Sequence, residues 1–171
     1  MRIKLYVNEK DYAFETHGER RLSDVLREDL GLLATKVRCG SADCGACIVL
    51  ADGELCTSCL VPVGIMQSFH ITTFEHFTQT PEFTDIDDVI KDCDVSLREE
   101  EKPFFFFTLN SIINNMQEIT LENIELFYKN FAKVTLPHED LLLIARRASD
   151  GRKKRIFQEK SQLNAQKPGK K

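Results

Sequence analysis

No stretch of the 171-residue chain approaches the roughly 18 consecutive apolar residues of a membrane-spanning helix. The opening, MRIKLYVNEK, alternates apolar and charged side chains and lacks the apolar core of a signal peptide. A soluble, cytoplasmic protein is expected, with its thiols reduced and free to bind metal. There is no internal repeat and no Gly-rich phosphate loop, because Gly-Ser-Ala at 40–42 is too short to cradle a nucleotide. The four histidines, His17, His70, His76 and His138, fall at scattered positions without ligand spacing. No Ser-His-acid or Cys-His arrangement can be assembled from the order of residues. Cysteine is absent after Cys93.

The cysteines that are present crowd together. Five of the six lie in RCGSADCGACIVLADGELCTSC, from Arg38 to Cys59. Cys39, Cys44, Cys47 and Cys59 are spaced C-x4-C-x2-C-x11-C, as in the plant-type [2Fe-2S] arrangement of three thiolates on a tight loop and a distant fourth. Gly40, Ser41, Ala42, Gly45 and Ala46 leave backbone amides exposed, as a loop closing on a bulky anionic cluster requires. A second geometry fits the same stretch. Cys44-x2-Cys47 and Cys56-x2-Cys59, joined through a hairpin turn, could form a four-thiolate zinc ribbon with Cys39 as spectator. Buried free cysteines acting as small hydrophobes are a third reading. Cys39 and Cys56 discriminate between the first two. Cys93, alone at an acidic helix end, reads as a semi-buried structural thiol.

With 42% hydrophobic and 29% charged residues, the chain can bury a core without disulfides. Its net charge of −4 is unevenly spread: residues 146–171 hold ten Lys or Arg against two acids, leaving 13 basic and 25 acidic residues in the rest. An acidic body with a basic tail speaks against a nucleic-acid-binding body and suits an electron carrier that docks on a basic surface. The tail reads as a solvated extension.

Ile3, Leu5 and Val7 alternate on one strand, and Tyr12, Phe14 and Thr16 on a second, with a turn over 8–11. Leu22, Val25, Leu26 and Leu30 follow helical spacing, with Gly31 at the C-terminal cap. Beyond the loop, Ile48–Leu50 and Leu55–Cys59 form a hairpin about Asp52-Gly53, which carries Cys59 back beside the other three thiols. Residues 69–74 supply a last strand. Hairpin, helix, then a cysteine loop opens a β-grasp fold. From residue 78 the period becomes helical: Thr80-Pro81 starts one helix, Phe104–Ile113 forms a second, Thr120 caps a third with Phe131 on its inner side, and Pro137 opens a fourth. The fold class is therefore α+β, an N-terminal β-grasp plant-type ferredoxin domain (1–77), a four-helix bundle domain (78–148) and a basic disordered tail (149–171).

RLSDVLREDLGLLATKVRCGSADCGACIVLADGELCTSCLVPV resembles the N-terminal ferredoxin domain of the molybdenum hydroxylases: the small subunits of xanthine dehydrogenase, aldehyde oxidoreductase and carbon monoxide dehydrogenase. The resemblance is carried by the LSDVLREDLGL helix, Thr35-Lys36, Cys-Gly-Ala-Cys at 44–47, Asp52-Gly53, Ser58-Cys59-Leu60 and Ile71-Thr72-Thr73, and covers about the first 76 residues. It implies that Cys39, Cys44, Cys47 and Cys59 are cluster ligands and Cys56 is not. It also implies an electron-transfer subunit, non-catalytic alone, with separate molybdopterin-binding and flavin-binding partner subunits and no specific nucleic acid.

Two departures lie in the loop, where Arg38 and Ala42 stand at positions usually Gly in the family; a positive φ there would cost on the order of 1 kcal/mol. A larger one follows. The family carries a second [2Fe-2S] cluster on a Cys-x2-Cys and a Cys-x-Cys at two helix starts. Here Phe104–Thr108 stands at the first pair and Lys133–Thr135 near the second. One [2Fe-2S] cluster is expected, with phenylalanine filling the space of the other, and the path to molybdenum is then longer.

Overall fold

The computed structural model describes residues 1–129 and 136–165. Strands β1 (Arg2–Val7) and β2 (Lys10–Glu15) pair antiparallel through a turn in which Asn8 and Glu9 take positive φ of 51° and 63°. Ile3, Leu5 and Val7 point into the core, as their alternation predicts. Residues Leu22–Asp24 (α1) continue into a π-helical turn over Val25–Asp29, closed by the Leu30 amide on the Val25 carbonyl at 3.2 Å. Gly31 follows at φ 69°. Strands β3 (Ile48–Ala51) and β4 (Glu54–Thr57) pair antiparallel, turning through Asp52 and Gly53 at φ 49° and 85°. A short 3-10 turn (Val63–Ile65) leads to β5 (His70–Thr72), which pairs parallel to β1 and antiparallel to β3. The result is one mixed sheet in the order β2-β1-β5-β3-β4.

Helices follow: α2 (Phe74–Phe77), α3 (Pro81–Asp92), α4 (Lys102–Asn115), α5 (Leu121–Lys129) and α6 (His138–Ala165). Thr80 caps α3 by accepting from the Phe83 amide at 3.3 Å, and Thr120 accepts from Asn123 at the start of α5. The expected inner position of Phe131 lies outside the described residues. This is an α+β arrangement in which sheet and helices share a strand. All four residues of β3 are buried. Val49 and Ala51 join Ile3, Leu5, Val7, Leu22, Val25 and Leu26 in one core, while Ile48 and Leu50 join the helices in the other. The change of period at residue 78 thus marks a change of packing partner, with apolar contact continuous across it.

The expectation of a disordered tail from residue 149 is overturned for the described part of that segment. Helix α6 runs without interruption to Ala165, and residues 166–171 lie outside the described residues. The cause is long-range pairing that no local pattern announces. Arg152, 6% exposed, donates to Asp85 on α3 at 3.0 Å and to Asn110 and Asn114 on α4 at 3.0 and 2.7 Å. Arg155 adds two further bonds to Asp85, at 3.0 and 2.8 Å. Burial raises the Asp85 pKa, but the hydrogen bonds from Arg155 and Arg152 outweigh it and leave the carboxyl below its ordinary value.

Candidate iron–sulfur site

The segment before the loop is pinned from below. Arg27 donates to the carbonyls of Leu33 and Thr35 at 3.0 and 2.8 Å, and the Lys36 amide bonds the Ala46 carbonyl at 3.0 Å. Between these ties, Gly40, Ala42 and Gly45 take positive φ of 66°, 67° and 68°. Alternating left-handed residues turn backbone amides toward the inside of a loop, which makes an anion-binding concavity. The Ser41 amide already points at the Cys39 sulfur, 3.4 Å away. Strain from a side chain at a glycine-like position therefore occurs at Ala42 and does not extend to Arg38, whose φ is negative.

Gly45 meets a second demand. A Cβ on it would lie 2.6, 2.7 and 3.0 Å from atoms of Phe104 at the start of α4. That contact binds the cysteine loop to the helical core.

The fourth thiol arrives as the β3–β4 hairpin predicts. Buried Ser58 donates from its hydroxyl to the Cys47 carbonyl at 2.6 Å, and its own carbonyl accepts from Ser23 at 3.1 Å. This anchors the turn that sets Cys59 beside Cys47. The four thiols adjoin one another: Cys44 neighbours Cys39, and both Cys59 and Cys44 neighbour Cys47. Cys39 is exposed, Cys44 half-buried, and Cys47 and Cys59 buried. The amide of Ser41 draws the Cys39 thiol down to about 6, whereas burial pushes Cys47 up to about 12.

Cys56 goes elsewhere. On β4 it stands opposite Val49 and packs against the core of Ile3, Leu5 and Val7, where burial raises its pKa. Its neighbour Leu55 packs against the helices instead. Four thiols at plant-type spacing, on a loop whose left-handed turns aim amides inward, suit a [2Fe-2S] cluster. The donor set therefore fits the group that the spacing implies. Cys93 accepts a hydrogen bond from Arg147 at 3.2 Å and packs against the helical core.

Phe104–Phe107 are all buried in α4, with at most 3% exposure. Phe107 lies 5.0 Å from Phe77, Phe106 stacks on Phe83 at 4.5 Å, and Phe104 meets Tyr128 edge-on at 5.9 Å. Lys133–Thr135 lie outside the described residues. Reading the sequence alone missed the outer rim of the site. Arg98, Glu100 and Glu101, from the charged connection before α4, line an open depression of about 420 Å³ together with Arg38, Cys39 and Cys44. A short charged run carries no spacing signal, so only the fold reveals this placement. The histidines lie apart, His70 near Asp52 (3.7 Å), His76 near Glu9 (3.9 Å) and His138 near Glu125 (3.9 Å).

Comparison with known proteins bears out the resemblance read from the sequence, over the first part of the chain. The chain is 37% identical over 73 residues to the nicotinate dehydrogenase small FeS subunit of Eubacterium barkeri, covering 43% of this chain and 46% of that one. It is 40% identical over 75 residues to the aldehyde oxidoreductase iron-sulfur-binding subunit PaoA of Escherichia coli K12, covering 44% and 33%. A probable xanthine dehydrogenase subunit of Bacillus subtilis is 36% identical over 73 residues, covering 43% and 42%. The chain thus spans less than half the length of these relatives in the matched region. In fold, quinoline 2-oxidoreductase from Pseudomonas putida 86 matches with a TM-score of 0.76 over 90% of this chain and 96% of that chain, at 22% identity. Aldehyde oxidoreductase from Desulfovibrio gigas matches with a TM-score of 0.70 over 98% of this chain and 18% of that one, at 21% identity. No protein-family model matches the chain. The relatives are named as iron–sulfur subunits, which leaves the Cys44, Cys47, Cys56, Cys59 zinc ribbon without support.

Proposed function

We propose that this chain holds one [2Fe-2S] cluster on Cys39, Cys44, Cys47 and Cys59 and passes single electrons within a molybdenum hydroxylase-type oxidoreductase. The observation that carries the reading is the placing of the thiols: Cys39, Cys44 and Cys47 lie on a loop with left-handed turns at Gly40, Ala42 and Gly45, Cys59 returns from the β3–β4 hairpin, and Cys56 packs into the opposite core. The cluster supplies a one-electron couple, with a potential set by burial and by hydrogen bonds to its sulfurs. The chain's own residues do the rest. Ser41 aims its amide at the Cys39 sulfur, Ser58 holds the turn that delivers Cys59, and Phe104 packs on the loop at Gly45. Residues 1–77 make a β-grasp ferredoxin-type domain, and α3–α6 a four-helix bundle without a second cluster. In this reading the chain is cytoplasmic and not an enzyme by itself, and its partners are molybdopterin-binding and flavin-binding subunits. None of the described helices is long and apolar enough to cross a membrane.

Anaerobic purification and reconstitution tests this. The protein should hold about two irons per chain, absorb in the visible, and give an EPR signal on dithionite reduction. Cys39→Ser should abolish or alter that spectrum, and Cys56→Ser should leave it unchanged. About four irons per chain would refute the single-cluster count, and the reverse mutant pattern would refute the ligand assignment.

A further inference from the structure

Helix α6 has its charges paired on one side and bare on another. Toward the bundle, Ile144, Ala145 and Ala148 are buried, and Arg152 and Arg155 are bound to Asp85, Glu82 and Glu159. Away from it, Arg146, Lys153 and Lys160 are exposed. Their seven-residue spacing sets them along one line of the helix at intervals of about 10.5 Å, with a drift of about 20° per step. Arg147 pairs with Asp92. Among the described residues Lys153, Lys154 and Lys160 have no ion pair, and Arg146 bonds only the Ile119 carbonyl, at 2.8 Å. The acids bordering this line are Asp150 on α6 and exposed Glu118, beside Ile119 in the chain, so four unpaired cations face two carboxylates. Glu139, one step earlier on the same line, marks where the cationic run ends.

The line is also apolar in places. Phe157 is 72% exposed and Ile156 37%. At the other end, Arg146, Asp150 and Lys153 form one wall of a groove of about 270 Å³ whose opposite wall is Ile113, Met116 and Ile119.

We propose that this side of α6 is a docking strip for an acidic amphipathic helix of a partner protein. Carboxylates of that helix pair with Arg146, Lys153 and Lys160, and its apolar side chains cover Phe157 and enter the groove. A partner helix presents one face again every seven residues, the same interval of about 10.5 Å as the cations. A nucleic-acid strand carries a charge about every 3.4 Å and would bring phosphates against Asp150 between the cations. The strip shares no residue with the cysteine loop, so the proposal stands apart from the cluster assignment.

Fluorescence anisotropy on the full chain tests it, at about 0.1 M salt, where charges act over about 10 Å. The probe is a labelled synthetic helix with glutamates seven residues apart and leucines between them. It should bind, and the same peptide carrying lysines in place of the glutamates should not. Lys153→Glu and Lys160→Glu should each weaken binding roughly two- to tenfold, since each removes an attraction and adds a repulsion. Phe157→Ser should weaken it at high salt as well as low. Lys4→Glu, an equal change of charge on exposed β1, should alter nothing. The wild-type chain gives a second reading that involves no variant: bound peptide should shield Lys153 and Lys160, but not Lys4, from acetylation, as read by mass spectrometry. A glutamate peptide that does not bind, equal binding of the two peptides, or equal acetylation of the three lysines overturns the proposal. Tighter binding of a DNA duplex or of phosphatidylserine vesicles than of the peptide overturns it as well, in favour of a polyanion or a membrane surface.

Discussion

Ala42 and Gly45 show how closely single residues set the shape of the cysteine loop. Ala42 bears a left-handed φ of 67°, a conformation that costs an alanine roughly 1 kcal/mol. Ala42→Gly should stabilise the protein by up to about 1 kcal/mol in urea unfolding, whereas Arg38→Gly, where φ is negative, should destabilise by about 0.4–1 kcal/mol through chain entropy. Gly45 is more demanding, since it combines a φ of 68° with Phe104 standing where a Cβ would have to go. Gly45→Ala should cost on the order of 2–4 kcal/mol, the sum of overpacking and left-handed strain. Because the overpacking part belongs to Phe104, the double variant Gly45→Ala with Phe104→Ala should cost less than the two single changes added together. A strictly additive result would mean the ring is not what crowds the loop.

Helix α4 is the element that joins the two cores. Its residues 103–107 are apolar on every side, and its polar residues Asn110 and Asn114 meet Arg152. Pro103 to Ile112 are all buried. Phe105→Ala or Phe107→Ala should each cost about 3–5 kcal/mol, read from denaturant midpoints. A loss below 1 kcal/mol would mean that these rings are not packed as described. The apolar run was legible in the sequence as a helix with a core role. Its partners were not, because periodicity states which side of a helix is apolar and says nothing of what lies opposite. The same holds for β4, where alternation alone could not say that Leu55 faces the helices and Cys56 the other core.

Across the whole molecule, Asp85 ties the last helix to α3 through Arg152 and Arg155. Its pKa is lowered on folding, so the pair contributes stability above the unfolded carboxyl pKa of about 3.9, lost as pH falls through the folded value. The difference in thermal midpoint between wild type and Asp85→Asn should be steady at neutral pH and shrink below about pH 4. A difference that grows with acidity would contradict the pairing. Truncation after Ala148, harmless to a solvated tail, should instead destabilise by about 3–5 kcal/mol, because Asp85 would be left buried without its cations. An unchanged denaturation midpoint would restore the reading of the tail as an appendage.

By itself the sequence determined the local frame. Cysteine spacing, the Asp52-Gly53 turn, the alternation of β1 and β3 and the caps at Thr80 and Thr120 all act over a few residues, where backbone preference and periodicity decide the outcome. They placed three thiols on one loop and brought a fourth back to it. Tertiary structure alone decided that Phe104 packs on Gly45 of the loop, that Arg98 and Glu100 reach its mouth, and that residues 149–165 continue an anchored helix. The pairings behind them span some 60 to 70 positions, as for Arg38 with Glu100 and Asp85 with Arg155. No local period encodes such pairings. They form because buried charges must find partners and buried rings must fill space.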